Sequence, residues 1–338
     1  MKVIVDDKIP YISEAIKQIA DEVVFLPGSS FTRDVVRDAD ALIVRTRTHC
    51  NAELLKGSCV RFIATATIGY DHIDTRFCKE AGIEWSNCPG CNANSVAQYV
   101  HSSLLLLQQE RGIDLSSLVM GVVGVGHVGT LVCEVANSLG MKTLCSDPPR
   151  AQRGEKGFIS LAELAAKSDI VTFHTPLIRD GEYKTYHLAD AHFFDCLKPH
   201  AVLVNTSRGE VVETQALLEA LDRGSVSDVI IDVWENEPYI NKALLQKTFL
   251  GTPHIAGYSA DGKANATRMS IESICRFFGI NCQPFEILPP PLPEGVDPNN
   301  PLSLYDPRRD SNALKNEPEK FEYFRGHYPL RREKNNHY

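Results

Sequence analysis

The sequence predicts an α/β fold in two domains, each built on a parallel sheet with helices on its faces. Short apolar runs rich in β-branched residues alternate with helical segments along most of the chain. One such run leads directly into a glycine-rich turn and an amphipathic helix, which is typical of a doubly wound sheet. The chain of 338 residues is also longer than one compact core usually needs, so we expect two domains.

The composition excludes several other classes of protein. Apolar residues make up 43% of the chain and charged residues 23%, which are values of a globular protein. The formal net charge of −8 offers no basic field that would hold nucleic acid or an anionic membrane. The start, MKVIVDD, and the lack of an uncharged apolar run of about 18 residues predict a cytoplasmic protein without an export signal.

The ten cysteines are expected to be buried thiols rather than disulfides in that compartment. Cys88-Pro-Gly-Cys91 is the one CxxC motif, and no histidine cluster stands beside it to complete a zinc site. The sequence therefore predicts no metal site.

Four short strands, at 3–5, 23–25, 41–44 and 61–65, predict a small α/β domain at the start of the chain. Residues 94–109 are apolar enough for a buried helix that leads from one domain to the other. Residues 257–280 predict a second long helix, which we expect to return to the first domain. The smaller domain is thus predicted to comprise residues 1–95 and 257–283.

Residues 96–256 show the α/β alternation more strictly. Apolar strands are predicted at 118–123, 142–146, 169–174, 201–206 and 228–233, and their uninterrupted apolar character suits a parallel sheet covered on both faces. The helix after the first of them carries one apolar stripe, made of Val128, Leu131, Val132, Val135 and Leu139. Ser160-Leu-Ala-Glu163 has the capping-box pattern that begins a helix.

The last part of the chain, residues 284–338, is predicted to be a linker followed by a docking segment. Seven prolines in residues 284–301 stiffen the chain and prevent a regular helix. Beyond them Phe321, Phe324 and Tyr328 stand at helical spacing in a segment too short for its own core. We expect this segment to dock on a partner subunit.

The glycine-rich turn is Gly124-Val-Gly126-His127-Val128-Gly129, placed between a strand and a helix. In a Rossmann unit the first glycine allows the tight turn, the second admits a pyrophosphate at the helix N-terminus, and the third permits close packing of helix on strand. Asp147 ends the next strand, 18 positions after Gly129, where a carboxylate accepts hydrogen bonds from ribose hydroxyls. The pattern predicts NAD, although Arg150 and Arg153 nearby leave NADP open.

Three further polar segments follow strands of the same sheet, at 205–209, 232–238 and 252–257. Ligands of open α/β sheets bind beyond the carboxyl ends of strands, so Arg208, Glu237 and His254 can meet in one cleft. An arginine can hold a substrate carboxylate bidentately, and a histidine oriented by a carboxylate can take a hydroxyl proton. Each residue alone also has an ordinary structural explanation, as an ion pair or a loop residue. The three together predict hydride transfer from a 2-hydroxy acid.

These motifs resemble those of the D-isomer-specific 2-hydroxyacid dehydrogenases over roughly residues 40 to 283. The resemblance implies a doubly wound parallel-sheet (Rossmann) NAD domain at 96–256 and a smaller flavodoxin-like α/β substrate domain at 1–95 plus 257–283. It implies that Arg208 binds the substrate carboxylate and that Glu237 with His254 forms the acid–base pair. It adds cofactor contacts to those of the glycine-rich turn and Asp147, namely Thr175, Pro176, Ser207, Asp232 and Gly257.

Within the family the chain is more similar to one branch, on segments 44–48, 64–72, 88–92, 147–150 and 251–258. That branch acts on a four-carbon 2-hydroxy acid with a phosphate at its far end, and it forms homodimers through an extra C-terminal segment, which residues 305–310 resemble. The resemblance assigns substrate contacts to Thr46, Thr67 and Tyr258. Arg208 cannot reach both ends of the substrate. Our hypothesis is therefore that Arg45 and Arg47, which follow strand 41–44, bind the phosphate.

Two alternatives stay open at this point. Within the class, the protein could be a related dehydrogenase such as phosphoglycerate dehydrogenase. In another class, it could be a non-catalytic NAD-sensing interaction protein that keeps the fold as a scaffold.

Overall fold

The computed structural model describes residues 1–281 and 286–333. Its contacts divide the chain into a first unit, Met1–Asn92 with Ser259–Pro293, and a second unit, Ala93–Tyr258 with the chain from Glu294 onward. Residues 284 and 285 of the predicted linker, and Cys282, lie outside the described residues.

Within the described residues, these units contain eleven strands and fifteen α-helices, with short 3-10 turns between them. The strands are β1 (Lys2–Asp6), β2 (Glu22–Leu26), β3 (Ala41–Val44), β4 (Phe62–Thr65), β5 (Glu84–Ser86), β6 (Val119–Val123), β7 (Lys142–Ser146), β8 (Ile170–Phe173), β9 (Ala201–Asn205), β10 (Val226–Ile231) and β11 (Leu250–Gly251) within the described residues. The helices of the same residues are α1 (Ser13–Ile16), α2 (Arg33–Val36), α3 (Ala52–Leu55), α4 (Thr75–Ala81), α5 (Ala93–Arg111), α6 (His127–Ser138), α7 (Pro148–Gln152), α8 (Leu161–Lys167), α9 (Ala191–Asp195), α10 (Thr214–Asp222), α11 (Lys242–Lys247), α12 (Ala260–Phe278), α13 (Pro301–Leu304), α14 (Arg308–Asn316) and α15 (Phe321–Gly326).

The first unit is a five-stranded parallel sheet in the order β2-β1-β3-β4-β5. This is the flavodoxin-type order, in which the connections diverge between β1 and β3 and leave a crevice at the carboxyl ends. Helix α12 begins where the Ser259 hydroxyl accepts the Gly262 amide at 2.8 Å. Its Ile271 and Ile274 are buried in one cluster with Val3 and Ile43. The predicted return of this helix therefore contributes to the core of the first unit.

The second unit is a six-stranded parallel sheet in the order β11-β10-β9-β8-β6-β7. Helices α5 and α6 supply Leu104 and Val132 to a buried cluster with Val122 and Ile230. A separate cluster contains Phe173, Leu217 and residues of the following helices. The sheet is therefore covered by two apolar cores, and the predicted fold class of two parallel α/β sheets is confirmed.

The C-terminal segment, residues 301–333, packs on its own chain. Helix α14 lies along the edge strand β11, where the Ser311 hydroxyl accepts the Gly251 amide at 3.0 Å and so satisfies an edge hydrogen-bond donor. Phe321 is fully buried in the core that contains Phe173, and Phe324, which is partly buried, packs against the same core. Tyr328 lies beyond the end of α15 and packs against the other core. The prediction that these aromatic residues dock on a partner subunit is wrong for Phe321, because its ring is fully buried in a core cluster of its own chain.

No helix in the described ranges has the length and hydropathy that a bilayer crossing requires. Among the described residues the free thiols include Cys50, Cys59, Cys78, Cys88, Cys133, Cys145 and Cys196.

Candidate active site

The glycine-rich turn of the second unit has the geometry that a dinucleotide site needs. Gly124 has a φ of +84°, and a Cβ there would lie 2.7 Å from the His174 carbonyl oxygen. A Cβ on Gly129 would lie 2.1 Å from the Gly124 carbonyl oxygen, whereas one on Gly126 would meet nothing within 4 Å. The first and third glycines are thus required by close packing, and the second leaves open space at the start of α6, where His127 and Val128 form the first turn.

Asp147 ties the end of β7 to this turn. Its Oδ2 accepts the Val125 amide at 2.9 Å, and its Oδ1 accepts the Arg150 amide at 3.1 Å. The guanidinium groups of Arg150 and Arg153 both pair with Glu155, which weakens the case for a 2′-phosphate site. The Asp147 carboxylate is therefore held beside the glycine-rich turn.

Thr175 supplies an independent sign of a ligand at the same turn. Its Oγ1 is buried without a hydrogen-bond partner among the described residues, and its Cγ2 would lie 2.9 Å from a Cβ on Gly124. The next residue, Pro176, is exposed, and its carbonyl accepts the Thr185 hydroxyl at 2.5 Å. An orphaned hydroxyl beside the open glycine turn fits a bound pyrophosphate or ribose.

His254 and Glu237 form a directly bonded pair at the carboxyl edge of the second sheet. His254 Nδ1 lies 2.8 Å from Glu237 Oε2, and the two side chains are 27% and 18% exposed. Glu237 Oε1 accepts the Trp234 amide at 2.9 Å. Because an ionised carboxylate only accepts, Nδ1 donates, and Nε2 is left to face a substrate.

Opposing effects set the charge of Glu237. Burial would raise the pKa of its carboxyl, but the hydrogen bond and charge of His254, the Trp234 amide and the positive charge of Arg325 together hold that pKa below its ordinary value. The carboxylate is therefore ionised at neutral pH and can orient His254 and stabilise its protonated form.

Asp232 holds the loop that carries His254. Its Oδ1 accepts the Ile255 amide and the Thr252 hydroxyl, both at 2.7 Å, and its Oδ2 accepts the Ala256 amide at 2.9 Å. Its backbone carbonyl accepts the His254 amide at 2.8 Å, where His254 has a φ of +57°. Burial raises the pKa of Asp232, against the lowering effect of His254 and of these donors. The aspartate thus fixes a left-handed turn that no glycine marks.

Arg208 follows β9, the neighbour of β10, and it is partly buried. Its Nη1 donates to the Ser207 carbonyl at 2.8 Å, and its own carbonyl accepts the Asn205 side-chain amide at 2.9 Å. The Ser207 hydroxyl donates to Asn205 Oδ1 at 2.9 Å. A Cβ on Gly209 would lie 2.0 Å from the Trp234 backbone, so the Arg208 loop packs directly on the loop that leads to Glu237.

Arg325 and Tyr258 complete the surroundings of the pair. Arg325 Nη1 lies 3.6 Å from Glu237 Oε2, and its guanidinium interacts electrostatically with Tyr258. Gly257 lies in the turn between His254 and Tyr258. Sequence reasoning missed Arg325, because nothing in the tail marks which of its arginines approaches a loop more than sixty positions away.

The first unit holds the remaining candidates, Arg45, Thr46, Arg47 and Thr67, after the adjacent strands β3 and β4. Thr46 and Arg47 are exposed, and Arg45 Nη1 donates to the Lys8 carbonyl at 3.2 Å. The Thr67 hydroxyl donates to the Gly69 carbonyl at 2.8 Å and lies 2.7 Å from the Thr65 hydroxyl. These residues form a second polar group at the carboxyl edge of their own sheet.

Comparison with known proteins identifies the class of enzyme. Residues 93–256 match the family model described as D-isomer specific 2-hydroxyacid dehydrogenase, NAD binding domain. The NAD-bound 3-phosphoglycerate dehydrogenase of Entamoeba histolytica superposes with a TM-score of 0.68 and 25% identity, covering 85% of this chain and 99% of that chain. Residues 93–256 are thus the NAD binding domain of a D-isomer specific 2-hydroxyacid dehydrogenase, and the chain is an enzyme of that class.

Curated relatives narrow the class further. The erythronate-4-phosphate dehydrogenase of Bacteroides fragilis is 60% identical over 98% of this chain and 97% of its own length. The enzyme of the same name from Escherichia coli is 43% identical, over 98% of this chain and 92% of its own length. The chain belongs to the erythronate-4-phosphate dehydrogenase family.

Proposed function

We propose that the protein oxidises 4-phospho-D-erythronate to 2-oxo-3-hydroxy-4-phosphobutanoate with NAD, as a step of pyridoxine (vitamin B6) biosynthesis. The observation that carries the proposal is the hydrogen-bonded pair of Glu237 and His254, set among the loops of an NAD binding domain. The names of the curated relatives supply the substrate.

The chain's own residues then have separate tasks. Arg208 binds the substrate carboxylate through its planar guanidinium and thereby orients the C2 carbon. His254 Nε2 accepts the proton of the C2 hydroxyl, and Glu237, bonded to Nδ1, stabilises the resulting imidazolium. NAD, when bound at Gly124–Gly129, Asp147 and Thr175, supplies the nicotinamide ring that accepts the hydride from C2. Contacts of the cofactor with Ser207, Asp232 and Gly257, and of the substrate with Thr46, Thr67 and Tyr258, belong to the same proposal.

The decisive experiment compares substrates. With NAD we expect 4-phosphoerythronate to give the highest kcat/KM in a panel with erythronate, 3-phosphoglycerate and D-lactate, by roughly 100-fold over erythronate, because a site built for phosphate rejects an analogue that lacks it. A preference for 3-phosphoglycerate would favour the related dehydrogenase instead. If no acid in the panel produced NADH above the background of His254→Ala, the protein would not be the proposed enzyme.

The proton transfer also sets a pH dependence. Oxidation requires the Glu237–His254 pair without its extra proton, and reduction of the 2-oxo acid requires the pair with it. We expect kcat/KM to rise with pH for oxidation and to fall for reduction. A flat profile in both directions, with chemistry rate-limiting, would remove His254 from this role.

We propose further that the enzyme acts in the cytoplasm as a homodimer. Sedimentation equilibrium should then give about 75 kDa, twice the chain mass of 37.5 kDa. A mass of one chain at micromolar concentration would exclude the dimer.

A further inference from the structure

The C-terminal segment places one cation beside the acid–base pair. Arg325, on α15, directs Nη1 to within 3.6 Å of Glu237 Oε2 and 3.7 Å of Glu322 Oε1. The guanidinium also interacts electrostatically with Tyr258, and the Arg325 side chain is 29% exposed. Most of the Arg325 side chain is removed from water, so it does not approach Glu237 as a freely solvated surface side chain would.

The Glu237 carboxylate needs such a cation. Its Oε1 is compensated by the Trp234 amide, which is neutral, and its Oε2 by His254 and Arg325. His254 must be neutral at the moment when it accepts the substrate proton. In that state Arg325 is the full positive charge nearest to Glu237 among the contacts that the structure describes. Without Arg325, the Glu237–His254 pair would take up an additional proton more easily. His254 could then no longer accept the substrate proton.

The tail is anchored firmly enough to hold Arg325 in this position. Phe321, at the start of α15, is fully buried in the second unit's core. Arg331, just after the helix, donates to the carbonyls of Ile255, Ala256 and Tyr258 at 3.0, 2.5 and 3.0 Å. The segment that carries Arg325 is thus bonded directly to the loop that carries His254.

We propose that Arg325 is a positioning residue of the active site, whose guanidinium keeps the Glu237 carboxylate ionised and turned toward His254. The inference rests on the proposed roles of Glu237 and His254. The lowered pKa of Glu237, to which Arg325 contributes, agrees with it. Other charged or titratable groups near Arg325 and the pair include Glu322 on α15, Asp232 directly after β10, and Tyr258. The loop that carries Arg208 packs on the Trp234 backbone through Gly209.

The test is the pH profile of kcat/KM for oxidation by Arg325→Gln and Arg325→Lys. In Arg325→Gln the loss of the positive charge should move the acid limb to higher pH by about half to one unit and lower kcat at neutral pH roughly tenfold, with little change in KM. Arg325→Lys keeps the charge and should restore most of the profile. Lys320→Gln removes an equal charge from an exposed position in the same segment and should behave as wild type.

A second background shows whether Arg325 acts through Glu237. In Glu237→Gln the further change Arg325→Gln should have no additional effect on kcat/KM, since the carboxylate is already gone. Additive losses would overturn the proposal. So would an unshifted profile with KM raised tenfold or more, which would make Arg325 a substrate ligand.

If Arg325→Gln does not fold, Glu322→Gln tests the same electrostatics. It leaves Arg325 in place and removes the exposed carboxylate beside it, so the acid limb should move to lower pH. An upward shift or none would contradict the proposal. Failure of the wild-type protein to turn over any substrate would instead contradict the proposed function.

Discussion

At the residue scale, we propose that Arg47 and Arg45 are the side chains of the first unit that recognise the substrate phosphate. Arg47 is exposed and makes no hydrogen bond or ion pair with any residue that the structure describes, whereas Arg45 already donates to the Lys8 carbonyl. A charge-assisted hydrogen bond contributes about 1.5 to 3 kcal/mol. We therefore expect Arg47→Glu to raise KM for 4-phosphoerythronate roughly 10- to 100-fold, and Arg45→Glu to raise it less.

The control for this prediction is the unphosphorylated acid. KM for erythronate should change little in either variant, and Arg76→Glu, which reverses an exposed arginine on α4, should leave both constants unchanged. If the ratio of the two KM values stayed that of wild type in both variants, neither arginine would bind the phosphate.

His174 predicts how the stability of the second unit depends on pH. Burial lowers its pKa from 6.5 to about 3, and its ring contacts the hydroxyls of Thr172 and Thr206 at 2.9 and 3.3 Å. Because the pKa is lower in the folded state, the unfolded chain binds the proton first, and stability present above pH 6.5 is lost as the pH falls toward 3.

At pH 5 this loss is about 2 kcal/mol. Urea unfolding at pH 7.5 and at pH 5 should show it as the extra destabilisation of wild type relative to His174→Asn, which has no imidazole to protonate. Equal losses in the two proteins would mean that His174 is protonated in the folded state as easily as in the unfolded one.

At the element scale, the sequence predicts strands best where they are long and apolar. Strands β6, β7, β8 and β9 lie within one residue of their predicted bounds at every end. Of these, β6, β8 and β9 are central parallel strands buried on both faces, whereas β7 is an edge strand. Strands β5 and β11 have three and two residues, and nothing in their composition separates them from loops. Their existence depends on pairing with β4 and β10, which only the folded chain supplies.

Helix ends and turns are likewise predictable from the sequence only where the residues that stabilise them lie close together in the chain. The Ser160 cap was predictable because the hydroxyl meets the Glu163 amide only three residues away, at 3.2 Å. The left-handed turn at His254 was not, because it is held by Asp232, which lies 22 positions earlier in the chain. Arg208, Glu237 and His254 could be singled out from strand ends and chemistry. Arg325 and Arg331 could not, since their long-range ion-pair and hydrogen-bond partners are 73 to 236 positions distant.

At the scale of the whole molecule, the C-terminal segment belongs to the second unit's core rather than to a separate domain. Phe321 is fully buried in the same cluster as Trp234, which is 3% exposed. Removal of a buried phenylalanine ring costs about 3 to 5 kcal/mol. Phe321→Ala should therefore destabilise the second unit by about that amount, while Tyr323→Ala, at a side chain 57% exposed, should have little effect.

The two tryptophans allow the measurement to be confined to this unit, because Trp85 lies in the first and Trp234 in the second. In a Trp85→Phe background, urea unfolding followed by Trp234 fluorescence should shift to lower urea for Phe321→Ala at every protein concentration. A core residue acts within one chain, so its loss changes a unimolecular equilibrium. A shift that grew on dilution would instead place Phe321 at a subunit interface, as its helical spacing in the sequence led us to expect.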